Sequence, residues 1–229
     1  MKTVGVIGGL GPGTTAEFYL EIISMCQEKD RNNRPRIIIS SVPMPYSVEE
    51  DAILRNVGVE RCRPFLTAEA KRLEKAGADF IVMPCNTLHI FIEDIRRSVK
   101  IPVLSIVEET AKFINRNGFK RTGILSTSAT VENKLYENAF ERNGIAYETP
   151  NESQQAEMGN IILNLVNGKK EDGDKEELTS VIDGFEDKNV DCVTLACTDL
   201  QLLIREHKDL KVLDTMKILA EATVEELLR

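Results

Sequence analysis

The chain has 229 residues, 42% of them apolar, and its 29 Lys and Arg stand against 37 Asp and Glu for a formal net charge of −8. That length suits one large domain or two small ones, and no apolar run reaches the roughly 18 residues that span a bilayer. A net acidic chain without a basic tract argues against nucleic acid or an anionic membrane as partner and leaves a small molecule.

The opening Met1-Lys2-Thr3-Val4-Gly5-Val6-Ile7 carries one basic residue and runs into glycines where a signal peptide would continue apolar, so a cytoplasmic protein is expected. Short β-branched runs then alternate with longer stretches of helical period, the pattern of a parallel α/β fold with crossover helices. Strands are predicted over Thr3–Ile7, Arg36–Ser41, Asp79–Met83, Val103–Ser105, Thr122–Ser126, Ala146–Glu148, Asp191–Ala196 and Lys211–Leu213. After the second strand, Glu49-Glu50-Asp51 reads as a solvated loop or helix start. The Ala68–Lys75 stretch should end at Gly77 as a left-handed cap, and Ser105-Ile106-Val107-Glu108 has the form of a capping box. One helix is predicted from Ser128 or Thr130 to Asn143-Gly144, and the polar run Asn167–Glu177 reads as an exposed loop.

The chain repeats itself weakly. Lys2-Thr3-Val4-Gly5-Val6-Ile7-Gly8-Gly9 has a counterpart 118 positions on, Lys120-Arg121-Thr122-Gly123-Ile124-Leu125-Ser126-Thr127. Ala78-Asp79-Phe80-Ile81-Val82-Met83-Pro84-Cys85-Asn86-Thr87-Leu88 matches Val190-Asp191-Cys192-Val193-Thr194-Leu195-Ala196-Cys197-Thr198-Asp199-Leu200, 112 positions on. Two similar α/β halves are implied, residues 1–101 and 102–213, with a C-terminal helix over 214–229 packing back on the first. If they face each other across a cleft, one cysteine comes from each side.

Five cysteines, at 26, 62, 85, 192 and 197, form no CxxC pair, so free thiols are expected and neither a disulfide framework nor a metal site. Cys26, Cys62 and Cys192 read as packing residues. Cys85 and Cys197 each follow a strand and precede polar residues suited to a helix N-terminus, where free N–H groups and the helix dipole favour a thiolate over the reference pKa of about 8.5. Both are therefore expected to be partly ionised near neutrality. Asn86, Thr87 and Thr198 can donate hydrogen bonds to a carboxylate held between them. Inverting a stereocentre needs a base on one face and an acid on the other, which a thiolate and a thiol can supply. A bland alternative is that each cysteine is a small hydrophobe at a buried strand end. His89 reads either as a proton relay near Cys85 or as a helix-surface residue, and Asp199 either tunes Cys197 or caps a helix.

Val82-Met83-Pro84-Cys85-Asn86-Thr87-Leu88-His89 and Leu195-Ala196-Cys197-Thr198-Asp199-Leu200 resemble the two cysteine motifs of the cofactor-independent aspartate/glutamate racemases. Gly8-Gly9-Leu10-Gly11-Pro12 resembles that family's glycine-rich first loop, and Ser126-Thr127-Ser128-Ala129-Thr130 its Ala-Thr-x-Gly-Thr loop. The resemblance runs from Lys2 to the helix after Asp214. It implies two Rossmann-like halves, a cleft with Cys85 and Cys197 as acid/base groups, no cofactor, and commonly a homodimer. It also implies substrate contacts from Leu10, Gly11, Asn86, Thr87, Thr127, Thr130 and Thr198.

The match departs from the family where the substrate side chain is read. Aspartate-specific members place an arginine close to Ser47 and a lysine close to Val166, and neither is present. Arg55, Arg61 or Arg63 can supply the charge, or the substrate is glutamate or a less acidic amino acid. Other readings stay open: a maleate isomerase or decarboxylase relative, or a non-catalytic small-acid sensor on the same scaffold. Gly11-Pro12-Gly13-Thr14-Thr15-Ala16 also fits a dinucleotide loop, but the second strand ends in Ser40-Ser41 without the acidic residue such a site needs.

Overall fold

The computed structural model describes residues 1–166 and 168–229, with 53 and 54 as backbone. The first sheet and its helices come from β1 (Thr3–Gly8), α1 (Pro12–Lys29), β2 (Arg36–Ser41), α2 (Tyr46–Arg55), α3 (Arg63–Lys75), β3 (Phe80–Val82) and α4 (Ile92–Ser98), and α5 (Ile106–Arg116) leads to the second. The second follows with β4 (Arg121–Ser126), α6 (Ser128–Glu132), α7 (Leu135–Arg142), β5 (Ala146–Glu148), α8 (Glu152–Val166), α9 (Asp174–Asp183), β6 (Cys192–Ala196), β7 (Lys211–Asp214) and α10 (Thr215–Leu227). The strands pair in parallel in two sheets, β2-β1-β3 and β5-β4-β6-β7. All residues of β1, β3 and β6 are buried, as parallel strands covered by helices on both faces require. No helix among the described residues is long and apolar enough to cross a membrane.

The sequence repeat has a physical basis in how each half joins its first two central strands. Asp79 Oδ2 accepts the Thr3 N–H at 2.6 Å, while the Asp79 N–H donates to the Thr3 carbonyl at 2.8 Å. In the second half, Asp191 Oδ2 accepts the N–H of Arg121 at 2.9 Å and of Lys120 at 2.6 Å, and its own N–H donates to the Arg121 carbonyl at 2.9 Å. Each aspartate pins the start of one strand to its neighbour and sets their register. Both are preceded by a left-handed residue two positions back, Gly77 and Asn189. Gly5 and Gly123, also equivalent, are close-approach sites: a Cβ on Gly5 would lie 2.9 Å from Ala78 Cβ, and one on Gly123 would lie 2.7 Å from the Phe185 ring.

Four features differ from the sequence-based expectation. The strand expected at Val103–Ser105 is a single bridge between Ile81 and Val103, because Pro102 offers no N–H and Ser105 turns away to cap α5. Even so, the Pro102 carbonyl accepts from Ile81 at 2.9 Å and Leu104 donates to the Ile81 carbonyl at 3.0 Å, so 102–104 continue the first sheet where β7 continues the second. The capping box is half made: Ser105 Oγ accepts the Glu108 N–H, but the Glu108 carboxylate turns to Arg96, with two contacts of 2.8 Å. The single helix expected from Ser128 is two, α6 and α7, broken at Lys134 with φ +48°. Of the polar run expected as a loop, 174–177 form the first turn of α9, and Asn167 lies outside the described residues.

One apolar core is shared between the sheets. It gathers Val4 and Val6 of β1, Phe18 and Ile22 of α1, Ile114 of α5, Tyr136 and Phe140 of α7, and Leu219 of α10. Separate cores cover the outer face of each sheet. The end of α10 returns to the first strand, where Lys2 donates from its backbone to the Leu227 carbonyl at 3.0 Å.

Gly123→Ala should destabilise the protein by about 1–3 kcal/mol, the usual scale of overpacking. Adding Phe185→Leu should recover part of that loss. Additive destabilisation in a double-mutant thermal melt would count against a steric clash.

Candidate active site

Cys85 and Cys197 sit just beyond the carboxyl ends of β3 and β6, the edge at which parallel sheets bind ligands. Both open on one cavity of about 330 Å³ between the halves. Leu10 and Gly11 from the loop after β1 and Thr14 from the first turn of α1 line it on one side, Asn86, Thr87 and Thr198 follow the cysteines, and Tyr46 and Glu49 of α2 join Leu165 and Val166 of α8. The glycine loop is set by Gly9, at φ +84°, whose missing Cβ would lie 2.5 Å from Ser41 Oγ. Its N–H donates to Thr15 Oγ1 at 2.9 Å, and Thr15 Oγ1 donates back to the Gly11 carbonyl at 3.0 Å.

Backbone donors do point at both sulfurs: the N–H of Leu88 toward Cys85, those of Asp199 and Leu200 toward Cys197. They do not deliver the expected ionisation. Burial pushes the Cys85 thiol up to about 12, with the charges of Glu49 and Asp199 adding to it. Burial also pushes Cys197 up, followed by the charge of Asp199. The cysteines are only 6% and 7% exposed, and the segments after them are short 3₁₀ turns, Thr87–Phe91 and Leu200–Leu202, rather than α-helices. Desolvation overrides a dipole that short.

The structure brings seven of the nine expected site residues to the cavity wall, both cysteines with Leu10, Gly11, Asn86, Thr87 and Thr198. Thr127 and Thr130 lie behind. Thr127 caps α6, and its Oγ1 lies 3.0 Å from Thr87 Oγ1 and 2.9 Å from Thr130 Oγ1, so the pair orients Thr87 from outside the cavity. Asn86 is held on both sides of its amide, with Nδ2 donating to Thr215 Oγ1 at 3.0 Å and Oδ1 accepting from Tyr136. One amide hydrogen is left for a ligand.

A family model for the Asp/Glu/hydantoin racemases matches residues 7–223. The chain belongs to that family. Over 96% of both chains it is 27% identical to the broad specificity amino-acid racemase RacX of Bacillus subtilis. Among solved structures, an aspartate racemase homologue from Pyrococcus horikoshii superposes with a TM-score of 0.82 at 29% identity, covering both chains entirely. The aspartate racemase of Picrophilus torridus superposes at 0.81 with 28% identity, covering 99% of this chain and 94% of that one.

Within this racemase-family site, residues with two possible readings resolve. His89 is neither relay nor surface residue: it is 1% exposed, with Nε2 accepting the Ile106 N–H at 3.1 Å and Nδ1 therefore donating to the Cys85 carbonyl at 2.7 Å. It joins the Cys85 turn to the start of α5, and burial lowers its pKa to about 4. Asp199 makes no cap. Its carboxylate accepts from Thr14 Oγ1 in the first turn of α1 at 3.3 Å and raises the proton affinity of Cys197.

The run at 49–51 divides: Glu50 and Asp51 pair with Arg55 on the surface, while Glu49 turns into the cavity. No single-sequence signal separates Glu49 from its neighbours. Arg61 is held by Asp51 at 2.9 Å, and Arg63 pairs with Glu60 and Asp94, so none of the three candidate arginines reaches the cavity. Among the described residues, Asp183, Glu186 and His207 form a possible metal-ligand cluster. There the His207 Nδ1 accepts the Leu210 N–H at 3.3 Å and its Nε2 faces Asp183 at 3.0 Å, which leaves no lone pair for an ion.

Because His89 stays neutral in the folded state and titrates near 6.5 once unfolded, its contribution is full above about pH 6.5 and falls as pH drops toward 4. His89→Gln should therefore be less stable than wild type at pH 8, and the gap should narrow on acidification. Chemical denaturation at pH 8, 6 and 4.5 checks this, and a gap that widens toward low pH would contradict the assignment.

Proposed function

We propose that the chain is a cofactor-independent amino-acid racemase that moves protons between Cα and the two thiols. The observation that carries this reading is the placement of Cys85 and Cys197, one from each half, at equivalent strand ends on one cavity. The substrate carboxylate takes hydrogen bonds from Thr87, Thr198 and the free amide hydrogen of Asn86, which directs Cα between the sulfurs. One cysteine, as thiolate, removes the α-proton; the other, as thiol, returns a proton to the opposite face, and the two exchange roles in the reverse direction. No atom other than hydrogen changes place. Donors on the carboxylate stabilise the charge that builds there when the proton leaves, in a site from which most water is excluded. The similarity to RacX over nearly the whole chain supports an amino-acid substrate.

Cα deuterium incorporation in heavy water, followed by NMR with chiral analysis of the product, tests the reading. Wild type should exchange the α-proton and accumulate the other enantiomer without added cofactor. Cys85→Ser and Cys197→Ser should each lose at least about 100-fold in racemisation rate. Near-full activity in both variants would overturn the two-thiol mechanism.

Since both thiols are held protonated in the free protein, kcat/KM should rise as pH increases from 7 to 9, as the thiolate fraction grows. A profile that falls over that interval would contradict it.

A further inference from the structure

The two cysteines and the donors beside them account for the α-carbon and the carboxylate, and leave unassigned the α-ammonium, which takes one negative partner in any amino acid, and the substrate side chain. The remaining cavity wall carries three carboxylates, Glu17, Glu49 and Asp199, and no lysine or arginine among its described residues. Among the described residues, neutral groups are their only close partners. Thr14 Oγ1 donates to Asp199 at 3.3 Å, and Gln201 Nε2 donates to Glu17 at 2.9 Å. Glu49 has no hydrogen-bond or ion-pair partner among the described residues. Lys170, near the rim, directs its ammonium to the Leu202 carbonyl at 3.1 Å.

A second carboxylate on the substrate would meet like charge in a partly desolvated site, with no lysine or arginine among the described lining residues to offset it. A positive group would meet the opposite. Burial already raises the proton affinity of Glu49 and Asp199, and the charge of Asp199 adds to the effect on Glu49. Both carboxylates lack a counter-ion that a ligand can bring. Leu165, Val166 and Leu202 give the same cavity an apolar wall suited to a methylene stem.

We propose, resting on the racemase reading, that this site takes amino acids with a cationic side chain, such as lysine, ornithine or arginine, and that Glu49 and Asp199 recognise the distal cation. Glu49 is the cleaner determinant, because Asp199 acts on both sulfurs of the cavity and Glu49 on Cys85 only, an effect common to every substrate that the lysine-to-alanine ratio cancels.

Cα deuterium exchange is measured side by side for lysine, ornithine, arginine, alanine, aspartate and glutamate. The cationic substrates should exceed alanine by at least about tenfold in kcat/KM, and aspartate should be slowest. Glu49→Gln should lower kcat/KM for lysine by about tenfold or more, chiefly through KM, and compress the lysine-to-alanine ratio. Glu49→Arg should move the preference toward aspartate. Faster exchange of aspartate or glutamate than of lysine would overturn the cationic assignment while keeping the racemase reading. Absence of exchange with every amino acid would overturn both. An unchanged lysine-to-alanine ratio in a Glu49→Gln protein whose thermal melt matches wild type would also overturn the role of Glu49.

Discussion

One buried carboxamide, Asn86, joins the halves at the point where the site is made. Its Nδ2 donates to Thr215 at the start of α10, and Thr215 Oγ1 donates onward to the Leu195 carbonyl in β6 at 2.7 Å. Its Oδ1 accepts from Tyr136, whose ring lies in the core between the sheets, edge-on to Phe140 at 5.4 Å between centroids. A buried polar chain of this kind holds only when each member is satisfied, and leaving one end open costs about 1–3 kcal/mol. Here it fixes the residue after Cys85 to the strand that leads to Cys197. The spacing of the two sulfurs follows from that tie more than from either sheet alone.

What can be read from the sequence is what short-range chemistry decides. The buried strands announce themselves because both faces are covered, so uncharged, mostly apolar or β-branched residues run without the alternation of a half-exposed strand in Val4-Gly5-Val6-Ile7 and Cys192-Val193-Thr194-Leu195. The repeat is visible because Asp79 and Asp191 do the same work at the same distance from their cysteines. Gly77 and Gly144 end helices with positive φ, as their positions after helical runs foretell. The seven cavity residues come from motifs at strand ends, where backbone geometry alone aims them.

The rest depended on contacts distant in sequence. Thr127 and Thr130 belong to a loop of the expected type, yet Thr87 stands between them and the cavity, an arrangement set by how the halves dock. Glu49 and Glu50 are adjacent acids, and only the placement of α2 over the cleft sends one inward and the other to Arg55. His89 looks like a surface residue until Ile106, seventeen positions on, closes over it. The ionisation of the cysteines failed for the same reason: a dipole is a local property, whereas desolvation counts everything that covers the sulfur.

Joining the two halves in one chain has a consequence for symmetry. Two identical halves related by an exact twofold axis would give both sulfurs the same neighbours and hence a single proton affinity. Fusion lifts that constraint. Cys197 has an acid two positions on, Asp199, where Cys85 has Thr87, and Thr14 of α1, which contacts Asp199, follows a glycine loop that has no glycine-rich equivalent after β4. The two sulfurs therefore occupy related positions in unlike fields, Cys197 with Asp199 as its foremost charged neighbour and Cys85 with Glu49 ahead of Asp199.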